Sequence, residues 1–269
     1  MIILSIYAVR WSYWRIKRIE FTGQVVIDEN YLRQELEQLL SGNILGLIPR
    51  DLYFVVKTQE ISSDLLKQFP RLEEVKVSKK FPSILTLQMK GRDLFGILCQ
   101  KRKTATTTAE NIVEDESPGC MFIDKKGVAY DEAPDSFGYL IPKVVIDNYA
   151  ENWQLGSSVM GENKIKQIEL ASLAFQEVIG SSFVGYQLFS RIPGEFRATN
   201  MHGQKFYLNF NDDFKKVFNV FKTVLEQEIK DKRTNLDYVD LRFGNKIFYK
   251  FLSTPRQLLM ASSTAPVSQ

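Results

Sequence analysis

The chain has 269 residues, with 35 basic and 32 acidic side chains and a formal net charge of +3. Its length predicts two compact domains, because single domains usually contain about 100–150 residues. Hydrophobic residues make up 44% and charged residues 25%, which excludes a wholly disordered chain. The charge is small and its basic runs are dispersed, so they are interpreted as solvated faces and no nucleic-acid partner is expected.

The N-terminal segment, residues 1–14 (MIILSIYAVRWSYW), is apolar and aromatic but shorter than the roughly 20 residues of a spanning helix. It has no basic n-region and no small-residue cleavage site, so a regular signal peptide is not predicted. Its aromatic side chains, followed by Arg15, Lys17 and Arg18, resemble the interfacial end of a transmembrane helix. We expect a partial membrane anchor here; an amphipathic leader is the alternative.

Residues 16–90 predict a first domain with the element order β-α-α-β-β. A short apolar strand comes first, and the helix after it is capped by Asp28 and ends near Gly42. A second helix is predicted over residues 58–69, and two segments of alternating polarity then predict a hairpin with one solvated face. A domain boundary is expected near Gly91.

A second, larger domain is predicted beyond that boundary. Residues 94–100 and 120–130 have strand patterns, and the polar stretch over residues 101–119 between them is expected to be a mobile loop. A further strand is predicted around residues 140–146. The helix over residues 163–179 has an apolar stripe that should cover one face of a sheet.

The last part of the chain predicts three strands, a helix and a closing hairpin. The three strands form a meander, and Asp212 or Asp213 caps the helix that follows. Residues 238–243 and 246–251 flank Gly244-Asn245, a strong two-residue hairpin signal. The predicted ranges of the meander strands are 183–192, 195–199 and 205–210, and residues 253–269 are expected to be a disordered tail.

Catalytic chemistry is not indicated. The chain has a single histidine, His202, in a predicted turn, and it lacks the common nucleophile, phosphate-loop, zinc and dinucleotide motifs. The acidic pairs Glu73-Glu74 and Asp212-Asp213 are interpreted as a solvated face and a helix cap, because adjacent residues point in different directions. We therefore expect no enzymatic activity, no metal, no cofactor and no small-molecule substrate.

The two cysteines, Cys99 and Cys120, lie at the facing ends of two predicted neighbouring strands. A cross-strand disulfide is sterically compatible with that position. Two unpaired buried cysteines are the equally weighted alternative.

Four segments carry a resemblance to a known family: RIKRIEFTG, FPRLEEVKVSKKFPSILTLQMKGR, CMFIDKKGVAYDEAP and LDYVDLRFGNKIFYK. In this order and spacing they resemble the bacterial cell-division family FtsQ/DivIB, over roughly residues 10–251. The most specific marks are Phe81-Pro82, the D-x-x-G of residues 124–127 and the segment 239–243. The chain departs from the family pattern at Gly91, which is usually acidic, in its long loop at 101–119 and in its short anchor.

The resemblance implies an α+β fold: a POTRA domain (β-α-α-β-β) over residues 15–91, then a β domain with a mixed sheet and two packing helices over residues 92–252. It also implies a non-catalytic, single-pass protein of the cell membrane whose bulk is extracytoplasmic. Its partners would be FtsB-like and FtsL-like division proteins, through which it would help to regulate septal peptidoglycan synthesis. A POTRA-containing component of a transport or envelope-assembly system is the second interpretation, and an extracytoplasmic enzyme is the third.

The predicted docking site is the last strand. If residues 246–251 close the sheet, one row of backbone N–H and C=O groups stays unpaired and a partner segment can add as a further strand. Phe248 and Tyr249 are candidates for side-chain recognition, and one of them should face the core because strand neighbours point oppositely. The predicted partner-binding residues are Lys246, Ile247, Phe248, Tyr249, Lys250 and Phe251.

Overall fold

The computed structural model describes residues 12–23, 27–100, 119–134, 140–147, 153–244 and 246–253. Its contacts divide the chain into two units, Met1–Asp93 and Leu94–Gln269, so the division falls two residues beyond Gly91. Both units combine helices with β-sheets, a mixed structure consistent with the predicted α+β class. Most of the predicted anchor (residues 1–11), loop (101–118) and tail (254–269), together with Asn245, lies outside the described residues.

The first unit follows the order β-α-α-β-β, with one small hairpin that was not predicted. Its three-stranded sheet has the order β1-β5-β4, with β1 parallel and β4 antiparallel to the central β5. The hairpin β2–β3 lies between the two helices. The elements are β1 (Arg18–Thr22), α1 (Glu29–Leu40), β2 (Asn43–Ile44), β3 (Ile48–Pro49), α2 (Thr58–Gln68), β4 (Leu72–Lys80) and β5 (Ile84–Gly91).

The core of the first unit is formed by both helices and one face of its sheet. Asp28 caps α1 as predicted, because its side chain accepts a hydrogen bond from the N–H of Asn30 at 2.8 Å. Leucines spaced four residues apart on α1 are buried, as are alternate residues of β5. The buried residues include Leu32, Leu36, Leu40, Ile61, Leu65, Leu85, Leu87 and Met89.

The second unit is built on one nine-stranded sheet with the order β14-β13-β12-β11-β10-β9-β6-β7-β8. Pairing is mixed: β6–β9, β9–β10 and β12–β13 are parallel and the other pairs are antiparallel. The strands are β6 (Leu94–Gln100), β7 (Cys120–Asp124), β8 (Ala129–Ala133), β9 (Lys143–Ile146), β10 (Phe183–Leu188), β11 (Glu195–Asn200), β12 (Lys205–Asn209), β13 (Leu236–Phe243) and β14 (Lys246–Phe251).

Two helices, α3 (Glu162–Ile179) and α4 (Phe214–Val224), cover one face of this sheet. Aromatic rings dominate the contact: Phe175 of α3 stacks on Phe183 with centroids 4.0 Å apart and meets Phe206 edge-on at 4.9 Å. The Phe218 ring of α4 lies 5.2 Å from the Phe175 ring. These rings are nearly fully buried, so they provide much of the apolar area that stabilises the unit.

One sequence prediction in this unit was wrong in detail. The strand expected over residues 183–192 ends at Leu188, and a turn region follows before β11. Between α4 and β13 lie a π-helical turn (Leu225–Ile229) and a 3-10 segment (Lys230–Asn235), which the sequence did not predict. Of the two candidate caps, Asp213 is the N-cap of α4, since its side chain accepts from the N–H of Lys216 at 3.2 Å.

Cys99 and Cys120 form a disulfide, which decides between the two alternatives left open by the sequence. They are directly opposite each other in the β6–β7 pair, with their Cα atoms 4.2 Å apart. The bond lies in a small apolar cluster with Ile97, on the sheet face opposite the helices. It joins two adjacent strands, and the two cysteines are 21 residues apart in the sequence.

The Phe175→Ala variant should lose about 3–5 kcal/mol of unfolding free energy, because it removes a fully buried ring that three other rings contact. The matched control is Leu173→Ala on the same helix, where the side chain is 63% exposed and the loss should stay within about 0.5 kcal/mol. Urea unfolding of the second unit measures both. Similar losses in the two variants would contradict this packing.

The free energy of unfolding should fall between pH 10 and pH 12 because of Tyr186. Burial raises the pKa of Tyr186 to about 12, and its hydroxyl shares a hydrogen bond with Ser172. Its ordinary pKa is about 10, so above that pH the unfolded chain releases a proton that the folded chain retains. Stability is thus complete below pH 10 and lost as the pH rises through 12. Tyr186→Phe should show a shallower decline; an equal decline in both proteins would contradict the assignment.

Removing the disulfide in a Cys99→Ala/Cys120→Ala variant should lower the stability of the second unit by about 3 kcal/mol, the loop-closure value for a 21-residue separation. Urea unfolding with and without reductant measures this loss, and the double variant should no longer respond to reductant. Alkylation followed by intact mass analysis tests the bond itself. Two adducts on unreduced, unfolded protein would mean that the cysteines are free.

Candidate functional site

Strand β14 lies at one margin of the nine-stranded sheet and pairs only with β13 among the described residues. The N–H of Leu252, just past the strand, donates to the C=O of Asn235 at 2.8 Å, on the β13 side. Backbone direction alternates along an antiparallel strand, so the N–H and C=O groups of Phe251, Tyr249 and Ile247 point away from β13. As far as the described residues show, this margin is open to pairing with another strand.

The opposite margin, β8, differs because a neighbouring segment of the chain already bonds to it. The N–H of Ala129 donates to Ser157 at 3.0 Å, and the N–H of Gly156 donates to Ala129 at 2.7 Å. A further bridge joins Val128 to Ser158. The first residue of β8 is therefore already bonded on its outer side, whereas no such bond to the outer side of β14 occurs among the described residues.

The side chains of β14 divide between the two faces of the sheet, as the sequence predicts. Ile247, Tyr249 and Phe251 are half-buried and pack on the helix-side core. The Tyr249 hydroxyl also donates to Glu228 at 3.2 Å, and the Lys232 ammonium lies 6.0 Å from the Phe251 ring centroid. Tyr249 is therefore the core-facing member of the predicted pair, and this row of side chains fixes the strand.

The other row of β14 faces the side of the sheet that α3 and α4 leave uncovered. Lys246, Phe248 and Lys250 alternate along it, and Phe248 is 53% exposed. Its ring meets the equally exposed ring of Phe243 edge-on, with centroids 5.3 Å apart. Within the described residues neither lysine has a carboxylate partner. The site thus presents an aromatic pair between two free cations.

A charged cluster on β13 supports this row. The Arg242 guanidinium donates to Asp240 at 2.8 Å and 2.5 Å, and it also donates to Glu195 of β11. Its carbon lies 5.2 Å above the Tyr207 ring and 5.7 Å from the Phe243 ring. The hydrogen bonds to Asp240 hold the pKa of Arg242 above its ordinary value. Arg242 therefore ties three strands together beside the exposed aromatic pair.

A cavity of about 540 Å³ lies between α3, α4 and the β11–β12 turn. Asn200 and Gln204 bond to each other at 2.8 Å, and Gln204 also donates to the C=O of Arg233 at 2.6 Å. His202 lies on the rim, but the buried Ser181 hydroxyl has no hydrogen-bond partner, so no nucleophile–base pair is formed. None of the lining residues is acidic.

The two residues of each acidic pair have different contacts. Glu73 forms an ion pair with Lys90 at 2.7 Å, and Glu74 forms one with Lys76 at 2.9 Å. Asp213 caps α4, whereas burial raises the pKa of Asp212. Neither pair converges on the cavity, and no group of three or more metal-binding side chains occurs in the part of the chain that the structure describes.

Comparison with models of known protein families gives no match, and comparison with curated proteins gives none either. Among the described residues, no helix is both long and apolar enough to cross a membrane. Only Ser12–Trp14 of the predicted anchor is described, and it forms a short 3-10 helix.

The sequence prediction identified the strand but missed its neighbours on β13. Tyr238, Asp240 and Arg242 occupy alternate positions, and this pattern could have predicted a row of polar groups on one face of β13. A register shift between Asp240 and Phe243 was not predictable from that pattern. It accommodates an extra residue on β13, next to the position where Phe243 meets Phe248.

Proposed function

We propose that this chain is a non-catalytic, membrane-anchored scaffold of the FtsQ/DivIB type, with a POTRA domain followed by a β domain. It binds FtsB-like and FtsL-like division proteins by strand addition to β14, and so helps to regulate septal peptidoglycan synthesis. The single observation that carries the proposal is the position of β14: it is the last strand of the large sheet, with one margin open among the described residues.

The uncovered face of β14 defines the chemistry of the partner strand. A strand added at this margin places its alternate side chains beside Lys246, Phe248 and Lys250. Acidic residues there would pair with the two free lysines, and an apolar residue between them would cover the exposed Phe248 ring. We therefore expect a partner segment with an acidic, apolar, acidic alternation on one face.

The disulfide supports an extracytoplasmic position for the second unit. Cys99 and Cys120 are both buried and joined across adjacent strands. Structural disulfides persist in oxidising compartments and are rare in the cytosol. A membrane anchor before the first unit, with the remainder of the chain outside the cytoplasm, accounts for this bond and for the apolar N-terminal sequence.

The Phe248→Asp variant tests the docking site. It should weaken binding of the cell's own FtsB-like protein by at least about tenfold, because a carboxylate would replace an aromatic contact and face the acidic residues of the partner. Binding of the purified proteins can be measured by calorimetry. Leu173→Asp is the matched control, since it places the same charge at a 63% exposed apolar position on α3.

Backbone pairing is tested from the side of the partner. Two peptides of its docking segment are compared, one N-methylated at the odd positions and the other at the even positions. Only one of the two should lose binding, because only alternate N–H groups of the added strand face β14. Equal affinity of both methylated peptides would mean that binding does not use the strand edge. If the Phe248→Asp variant binds with unchanged affinity, the uncovered face of β14 does not take part in binding.

A further inference from the structure

The small hairpin β2–β3 of the first unit presents its aliphatic side chains to solvent. Leu45 is 91% exposed, Leu47 is 65% exposed, and Ile44 and Ile48 are each 37% exposed. With two residues per strand, the hairpin has no buried face of its own. These four neighbouring apolar side chains are therefore accessible to solvent.

The backbone at the tip strengthens this point. The N–H of Leu47 donates to the C=O of Ile44 at 3.1 Å, and the two central residues of this turn have positive φ: +51° at Leu45 and +74° at Gly46. Asn, Asp or Gly is the usual residue at the first of these positions. Leucine is disfavoured there, so its side chain is better explained by a contact outside the unit than by local folding.

An aromatic cluster adjoins the hairpin. The Trp14 ring lies 5.3 Å from Phe54 and 5.8 Å from Phe81, and Tyr53 contacts the same two phenyl rings at 5.3 Å and 5.8 Å. Phe54 is 68% exposed and Phe81 is 60% exposed, although both rings have aromatic neighbours. The cluster therefore presents large apolar rings outward.

A short segment of the chain connects the two patches, and a backbone hydrogen bond holds each of its ends. The N–H of Arg50, directly after β3, donates to Gly42 at 3.1 Å, and three residues later Tyr53 donates to the C=O of Trp14 at 2.8 Å. Residues 50–54 thus run from the hairpin into the aromatic cluster. We call the combined patch the Leu45 surface, formed by Trp14, Ile44, Leu45, Leu47, Ile48, Phe54 and Phe81.

Exposed cations lie around the Leu45 surface. Asp51 pairs with Arg15 at 2.7 Å, Glu60 with Lys57 at 2.6 Å, and Glu20 with Lys80 at 3.3 Å, so these acids are neutralised. Lys17, Arg18 and Arg50, which lie beside this surface, are exposed and have no carboxylate partner within the described residues. Lys17 and Arg18 both donate backbone N–H groups to Ser83, in the turn that carries Phe81, which places them beside the aromatic cluster.

We infer that the Leu45 surface lies in the interfacial layer of a bilayer that contains anionic lipids. Aromatic rings, an aliphatic tip and flanking cations are the combination that this layer favours. Protein interfaces, in contrast, are depleted in lysine at their centres. The first described residue, Ser12, follows the apolar residues 1–11 and precedes Trp14. The inference rests on the proposed anchor, which would hold this surface near the membrane.

A polarity-sensitive fluorophore on a Leu45→Cys variant of the full, disulfide-intact chain tests the inference. In vesicles of phosphatidylglycerol and phosphatidylcholine its emission should shift to the blue. Nitroxide-labelled acyl chains should quench it on the order of threefold more than the same label on Leu173→Cys, since interfacial groups are buried only as deep as the start of the acyl chains. The control position is also an exposed leucine, 63% accessible on α3.

Lipid composition tests the role of the cations. In vesicles of phosphatidylcholine alone, quenching of the Leu45→Cys label should decrease, because Lys17, Arg18 and Arg50 lose their anionic headgroups. Equal quenching in both kinds of vesicle would overturn the requirement for anionic lipid.

Flotation of the unlabelled chain separates this inference from the anchor. If the chain floats with the vesicles but the Leu45→Cys label is as accessible as the Leu173→Cys label, the inference is wrong and the anchor stands. If the chain does not float, both are wrong. A blue-shifted Leu45→Cys label in the absence of vesicles would indicate a protein contact and would also overturn the lipid assignment.

Discussion

One-sided burial of the nine-stranded sheet is the constraint on which the second unit depends. Both covering helices pack on the same face, where the Phe206 and Phe218 rings lie 4.9 Å and 5.2 Å from the Phe175 ring. Side chains alternate along a strand, so this contact determines which side chains of the sheet point toward the helices and which point away, as far as the marginal strand. At β14 it directs Tyr249 toward the helices and Phe248 away from them.

The uncovered face needs its own stabilisation, and Arg242 provides part of it. A lone buried cation would be unfavourable, but here two carboxylates neutralise the guanidinium and the Tyr207 ring lies against it. Its partners lie on β11 and β13, so the ion cluster connects the interior of the sheet to the strand that supports β14. A rigid support lowers the ordering entropy that strand addition must overcome.

Local patterns in the sequence predicted element types, the cap at Asp28, a cap at either Asp212 or Asp213, and the closing hairpin, because each depends on neighbouring residues. They predicted that one of Phe248 and Tyr249 would face the core, but not which of the two. They did not predict the turns between α4 and β13, the register shift before Phe243 or the contacts of Arg242, which depend on pairing between distant segments. The disulfide remained undecided for the same reason, since pairing of Cys99 with Cys120 requires the register of β6 and β7.

The energetics of an open strand edge show why the uncovered side chains matter. Each backbone hydrogen bond to an added strand contributes only about 0.5–1.5 kcal/mol net, and any extended segment can form such bonds. Edge lysines such as Lys246 and Lys250 disfavour indiscriminate pairing, because an added strand without acids would place apolar or basic groups beside them. In the proposed strand addition, selectivity would therefore come from the row that contains Phe248, and the edge would supply the geometry in which that row is recognised.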